Sequence, residues 1–248
     1  MKHITLIITS LFSLSGLLSA ALYITPITNG DFEDDLGSTV GVVAGNFNQA
    51  SSGWFGENGT SKGDAIQWEG STAQLPADDN GEVWGLLNIN ENDSNNPGAY
   101  YQAIGTNELN YITKVSMTVG NRSNFFFQDI VLSLYSGNVT GANGSSLSGL
   151  GATLLDSATI TNSVFALGDA MDESIAPQTA TISGLKLNTG TLGVAGETLW
   201  LEISSTVPGA NVWEYQAFID DVAVAVPEPS SIALLGLGGL ALLARRRK

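Results

Sequence analysis

Between Leu22 and Pro229, apolar and polar residues alternate in short runs rather than recurring every three or four positions. Val115, Met117 and Val119 fall on one side of such a run, Ile130, Leu132 and Leu134 on one side of the next, and Leu199, Leu201 and Ile203 on one side of a third. In the last run Phe218, Val222 and Val224 share a side. A period of two marks a strand with one face buried, because successive side chains of an extended chain point to opposite sides. Asn-Gly pairs at Asn29-Gly30, Asn58-Gly59, Asn80-Gly81 and Asn143-Gly144 supply residues that tolerate the positive φ of tight turns. Roughly nine or ten strands follow, and so many short strands between turns predict an all-β fold, an antiparallel jelly-roll β-sandwich. The Gly-, Ser- and Asn-rich stretch from Ser136 to Gly151 reads as a long exposed connection.

The two ends break the pattern. Lys2 and His3 precede a mostly apolar run from Ile4 to Leu18, and the small residues Ser19, Ala20 and Ala21 follow. Residues 1–21 therefore read as a signal peptide, with the mature chain starting near Leu22. After the last strand-like run, Pro227-Glu228-Pro229 stops regular pairing, since neither proline can donate a backbone hydrogen bond. Ile232 to Ala244 contains only Ile, Ala, Leu and Gly, and the chain closes with Arg245, Arg246, Arg247 and Lys248. As a short apolar helix, this run covers about 20 Å of a roughly 30 Å hydrocarbon core, a weak transmembrane helix held by cytoplasmic cations. The organisation expected is a signal peptide at 1–21, a β-sandwich domain at 22–225 and an anchor segment at 226–248.

Composition narrows the chemistry. All 24 acidic residues lie between Leu22 and Pro229, against four cations there, Lys62, Lys114, Arg122 and Lys186, so that region carries a net charge of −20. Such a surface repels phosphate groups, so nucleic acid and anionic lipid headgroups are poor partners for the domain itself, and neutral glycans and divalent cations remain. Arg122, the only arginine of this region, reads as half of a structural ion pair. The chain has no cysteine, and its one histidine, His3, falls in the signal peptide. A Ser-His-Asp triad, a His-ligated metal and a thiolate nucleophile are therefore excluded from the mature domain.

Val226-Pro227-Glu228-Pro229-Ser230, a Gly-rich apolar stretch and a terminal arginine cluster, in that order, resemble the PEP-CTERM sorting signal. The resemblance implies a bacterial protein exported to the cell envelope, cell surface or extracellular matrix. It further implies an exosortase-type processing enzyme that acts near Pro227, Glu228 and Pro229, and bacteria that make extracellular polysaccharide or biofilm matrix.

A second resemblance runs through the middle of the chain. Asn29-Gly30-Asp31-Phe32-Glu33, Ser52-Gly53-Trp54, Tyr101-Gln102-Ala103-Ile104 and Phe218-Ile219-Asp220-Asp221-Val222 resemble galactose-binding-like jelly rolls, a superfamily that includes many carbohydrate-binding modules. It implies a structural Ca2+ shared by the first and last strands, carried onto Glu33 and either Asp221 or Asp220. Calcium takes six to eight hard oxygen ligands, which suits such residues. Asn88, Asn90 and Asn92 have the opening spacing of an EF-hand loop, but Asp93 stands where glycine is required and Ala99 where glutamate is, so that site is rejected. Sugar binding would need aromatic platforms for pyranose rings; Trp54 and Trp213, beside Gly/Asn-rich sequence, lead the candidates, with Tyr215 and Trp84 next. No spacing singles out the two carboxylates of a glycosidase, so the expectation is a non-catalytic module that binds or organises polysaccharide. A purely structural surface protein is the alternative, and a glycoside hydrolase a more remote one.

Overall fold

A computed structural model describes residues 22–25, 27–32, 53–57, 65–67, 83–88, 99–121, 126–127, 129–165, 178–205 and 215–227. The predicted signal peptide, the apolar run Ile232–Ala244 and the terminal cations lie outside them. The structure divides into one unit spanning Ile24–Val226 and another made of the two terminal segments. Twelve strands occur among the described residues: β1 Leu22–Thr25, β2 Phe55–Glu57, β3 Ala65–Gln67, β4 Val83–Asn88, β5 Ala99–Thr106, β6 Ile112–Gly120, β7 Phe126–Phe127, β8 Ile130–Ser136, β9 Thr153–Ile160, β10 Thr179–Asn188, β11 Thr198–Ser205 and β12 Tyr215–Pro227. This exceeds the nine or ten expected, because β1, β2, β3 and β7 are too short to show alternation. Among the described residues a 3₁₀ turn, Asn162–Val164, is capped by Thr161, whose hydroxyl accepts from Ser163 N.

The strands form two sheets. One has the order β10-β6-β12-β4-β3, with β1 and β7 also paired to β12; the other has the order β2-β5-β11-β8-β9. From β4 onward the chain crosses between sheets at every connection except β6–β7 and β8–β9, so most neighbours in a sheet are distant in sequence, as in a jelly roll. The pairings along both main strand orders are antiparallel, and the short β7–β12 contact is parallel. The fold is an all-β antiparallel sandwich.

The core lies where the alternation placed it. Val115, Met117 and Val119 of β6 face Ile130, Leu132 and Leu134 of β8 and Leu199, Leu201 and Ile203 of β11, all buried in one cluster. In β12 the expected face holds for Val222 and Val224 but not for Phe218. Ala217 and Ile219 join the core with Val222 and Val224, while Phe218 turns away and meets Trp84 edge-on, with ring centroids 6.3 Å apart. The cause is a β-bulge: Asp220 opposes Thr118 and Ala223 opposes Ser116, so β12 fits one more residue than β6 into the same span. Asp221 absorbs it at φ 51°. An extra residue reverses which face each later side chain takes.

The connection from Ser136 to Gly151 is largely exposed, as expected, but it is anchored at Leu147. It folds over the outer face of the five-stranded sheet and buries Leu147 in a second cluster with Tyr101, Ala152 and Trp200. Its backbone is paid for by the sheet beneath: Trp200 Nε1 donates to Gly137 O at 3.0 Å, and Gly144 N donates to Gly56 O at 2.8 Å. Gly56 N donates to Asn143 Oδ1 at 3.0 Å, and Tyr101 Oη both donates to Ala142 O and accepts from Ala142 N, at 2.8 and 3.0 Å.

Candidate functional site

The four motifs scattered along the sequence converge in space. The turn at Asn29–Phe32 sits on the bulge of β12, where Val222 N donates to Gly30 O at 2.8 Å. A Cβ at Gly30 would lie 2.4 Å from Val222 O, so only glycine allows the turn this close. Gln102 ties the same turn to β5: its Oε1 accepts from Thr28 N at 2.7 Å, and its Nε2 donates to Thr28 O at 3.0 Å and Gly53 O at 2.7 Å. Trp54 Nε1 donates to Asn29 O at 3.0 Å. Its ring stacks on Phe32 with centroids 5.9 Å apart and meets Tyr100 edge-on at 6.2 Å.

The acids of this junction divide. On β12, Asp220 is buried and its Oδ1 accepts from Asp221 N at 2.8 Å, whereas Asp221 is exposed and its Oδ2 accepts from Thr118 Oγ1 at 3.4 Å. Glu33 lies just beyond the described residues. Asp220 is thus the buried and Asp221 the exposed member of the pair that the resemblance offers as a ligand. Among the described residues, no group of three or more acids, histidines or cysteines could hold a metal.

A second constellation lies on the outer face of the five-stranded sheet. Because Leu199, Leu201 and Ile203 of β11 point inward, Trp200, Glu202 and Ser204 point out. Glu202 stands in register between Tyr101 of β5 and Ser133 of β8, and Trp200 stands beside Tyr135. Tyr135 Oη donates to Glu202 Oε1 at 3.5 Å, and both Glu202 and Ser133 are buried although they face outward. Phe55 stacks on Tyr101 with centroids 5.4 Å apart, and Trp200 meets Tyr101 edge-on at 6.0 Å. The covering connection encloses Tyr101 and Trp200, while Tyr135 and Phe55 remain half-buried. The result is a carboxylate, a phenol and a serine hydroxyl side by side at the rim of an aromatic cluster.

The expected platforms fall elsewhere. Trp54 is 4% exposed and Trp84 is 3% exposed, so neither ring presents a face to solvent. Trp213 lies outside the described residues, and Tyr215 opens β12 at a position where only the backbone is described. Arg122 also lies outside. Trp200, Tyr135 and Glu202 were not among the candidates, although the inward alternation of β11 already assigns Trp200 and Glu202 to the outer face.

At the C-terminal end, residues 225–248 match the PEP-CTERM protein-sorting motif. The chain carries a PEP-CTERM sorting motif. The motif overlaps the end of β12 and takes in Pro227, Glu228 and Pro229, the apolar run and Arg245, Arg246 and Arg247. A PEP-CTERM motif marks an exported, envelope-associated bacterial protein and implies exosortase processing. No helix among the described residues is long and apolar enough to cross a membrane; the apolar run of the motif lies outside them. No curated protein matches the chain. Among solved structures, it is similar to the Stig cyclase Fisc from Fischerella sp. TAU, in complex with (3Z)-3-(1-methyl-2-pyrrolidinylidene)-3H-indole, at TM-score 0.55 and 15% identity over 84% of this chain and all (100%) of that one. That likeness shows a shared fold. Looser matches include the K2 cleaved adhesin domain of Lys-gingipain (TM-score 0.41, 16% identity, 83% of this chain and 98% of that one). A structure titled "CBM4 structure and function" matches at TM-score 0.36 and 14% identity, over 82% of this chain and 100% of that one.

Proposed function

We propose that this PEP-CTERM protein is a non-catalytic module of the bacterial surface or extracellular matrix that binds or organises neutral or weakly charged polysaccharide. The observation that carries the reading is the half-buried pair Phe55 and Tyr135 at the edge of the Tyr101–Trp200 cluster on the outer sheet face. A half-buried aromatic edge takes the apolar face of a pyranose ring, and the buried Glu202 carboxylate holds the Tyr135 phenol by accepting from its Oη. A net charge of −20 between Leu22 and Pro229 disfavours polyanionic glycans, which is why the partner is a neutral one. Trp213 remains a further stacking candidate, and a Ca2+ held by Asp220 and Glu33 is a structural cofactor in this reading.

The test is a glycan array probed with the full chain, followed by titration of each hit. Binding should occur, and Tyr135→Ala should weaken it when compared well below each protein's unfolding midpoint, since this packed side chain also carries stability. Binding to no glycan would favour a purely structural role. Release of reducing ends from a bound polysaccharide would replace the proposal with a hydrolase.

A further inference from the structure

Four Asn-Gly pairs punctuate the chain, and one of them, Asn143-Gly144, stands exposed in the connection that covers Tyr101 and Trp200. Ser145 N donates to Ala142 O at 3.2 Å and closes a turn with Asn143 and Gly144 at its centre. Gly144 takes φ 87°, a conformation that favours glycine, so the pair comes with the turn. Asn-Gly is also chemically labile in water. No side chain crowds the glycine nitrogen, which can attack the asparagine Cγ. An N–Cγ bond forms and the Cγ–Nδ2 bond breaks, and the Nδ2 amide leaves as ammonia with the proton lost by the attacking nitrogen. Water then opens the cyclic imide at one carbonyl or the other, giving aspartate or isoaspartate.

In the folded chain both reacting groups are committed to Gly56 of β2. Gly144 N donates to Gly56 O at 2.8 Å, and Asn143 Oδ1 accepts from Gly56 N at 3.0 Å. The nitrogen that would attack therefore points its proton at β2, and it can lose that proton and turn onto Cγ only after the bond to Gly56 breaks. The residue before it is held as well, since Tyr101 Oη donates to Ala142 O at 2.8 Å and accepts from Ala142 N at 3.0 Å. On either side of the turn the connection is packed down. A Cβ at Gly141 would lie 2.4 Å from the Phe55 ring, and Leu147 is fully buried.

We infer that Asn143-Gly144 is a latent deamidation site that β2 keeps intact, and that conversion of residue 143 to isoaspartate irreversibly unseats the connection from the aromatic cluster. The two products differ in effect. Aspartate keeps an oxygen where Oδ1 stood and still accepts from Gly56 N. Isoaspartate routes the main chain through Cγ and adds a methylene to the turn, so Ala142 and Gly144 no longer meet Tyr101 and Gly56 together. Slow chemistry on a segment that opens and closes quickly runs in proportion to the open population. Each net hydrogen bond lowers that population about fivefold, so the two to Gly56 give roughly thirtyfold protection.

The test ages the full chain in mildly alkaline buffer, with and without guanidinium chloride, and follows conversion at residue 143 by peptide mass mapping. Conversion should run about thirtyfold slower in the native chain than in the denatured one. Tyr101→Phe should raise the native rate severalfold and leave the denatured rate alone. A native rate less than about tenfold below the denatured one would overturn the protection by β2, as would a native rate that Tyr101→Phe leaves unchanged. Chains carrying isoaspartate at 143, isolated after prolonged native ageing, should exchange the amides of residues 137–152 with deuterium faster than wild type, whereas Asn143→Asp should match wild type. Equal exchange in the isoaspartate and aspartate forms would overturn the unseating.

Discussion

Gln102 offers the sharpest test of how this domain is held together. Its side-chain amide is buried and makes three hydrogen bonds to main-chain groups of two other segments, Thr28 and Gly53. Gln102→Leu keeps the side chain's approximate size and removes every one of them. Each such bond contributes about 1 kcal/mol net, and the stranded main-chain groups here are only part-buried, so water recovers some of the loss. The expected destabilisation is about 2–3 kcal/mol, a large fraction of the roughly 5–15 kcal/mol of a typical domain. For a domain of this size that lowers the midpoint of thermal unfolding by about 4–12 °C. Gln102→Glu sharpens the test, because a carboxylate can accept from Thr28 N but must face the carbonyls of Thr28 and Gly53. Its charged form is disfavoured in the folded state, so its folded pKa is raised above the unfolded value of about 4.3. The penalty is therefore full above the raised folded pKa and fades as pH falls through it towards the unfolded one. Circular dichroism melts of the wild type and both variants from pH 7 to pH 4 supply the data. A Leu variant within about 0.5 kcal/mol of wild type, or a Glu variant whose deficit does not shrink on acidification, would refute the assignment of this junction to Gln102.

Other outcomes follow from the same contacts. Tyr101→Phe should cost about 1–2 kcal/mol by removing both hydrogen bonds to Ala142, and should speed hydrogen exchange in the covering connection first. Gly30→Ala should cost more, about 2–4 kcal/mol, because a Cβ would press on Val222 O at 2.4 Å; a wild-type melting curve would contradict the close approach. Calcium at a hundredfold excess over its dissociation constant should stabilise the native state by about 2.7 kcal/mol, magnesium less, and Glu33→Gln or Asp220→Asn should abolish the difference against salt-matched controls. A chain truncated after Val226 should leave the envelope fraction, and equal partitioning of both chains would remove the sorting role from the C-terminal segment.

Legibility in the sequence tracked the regularity of each strand. Half-buried strands such as β6, β8 and β11 alternate cleanly, so Val115 to Val119, Ile130 to Leu134 and Leu199 to Ile203 were assigned to the core correctly. The bulge at Asp221 defeats the same reasoning in β12, because a run of alternating residues carries no mark of where its parity reverses. The Ser136–Gly151 connection is exposed as its small polar residues suggest, and what composition does not show is the single anchor Leu147, buried against Tyr101 and Trp200. Trp54 sits beside turn residues and is nonetheless core, since the turn itself is folded inward against Phe32 and Tyr100. The row on the outer sheet face was within reach. Fixing Leu199, Leu201 and Ile203 as inward fixes Trp200 and Glu202 as outward, and only the cross-strand register with Tyr101, Ser133 and Tyr135 needed the fold.

The place of β12 in its sheet sets the timing of assembly. Among the described residues it is the last strand in chain order, yet β6 and β4 flank it on either side, and β1 and β7 pair with it as well. Until residues 215–227 emerge, that sheet lacks the strand that joins β6 to β4, and the Asn29–Phe32 turn lacks the Val222 bond that seats it. Long-range pairings of this kind are slow to form. A chain threaded through a membrane from its N-terminus would thus stay open until nearly all of it had crossed. It would close only as Pro227-Glu228-Pro229 reached the far side, so that completion of the domain and arrival of the sorting motif become one event.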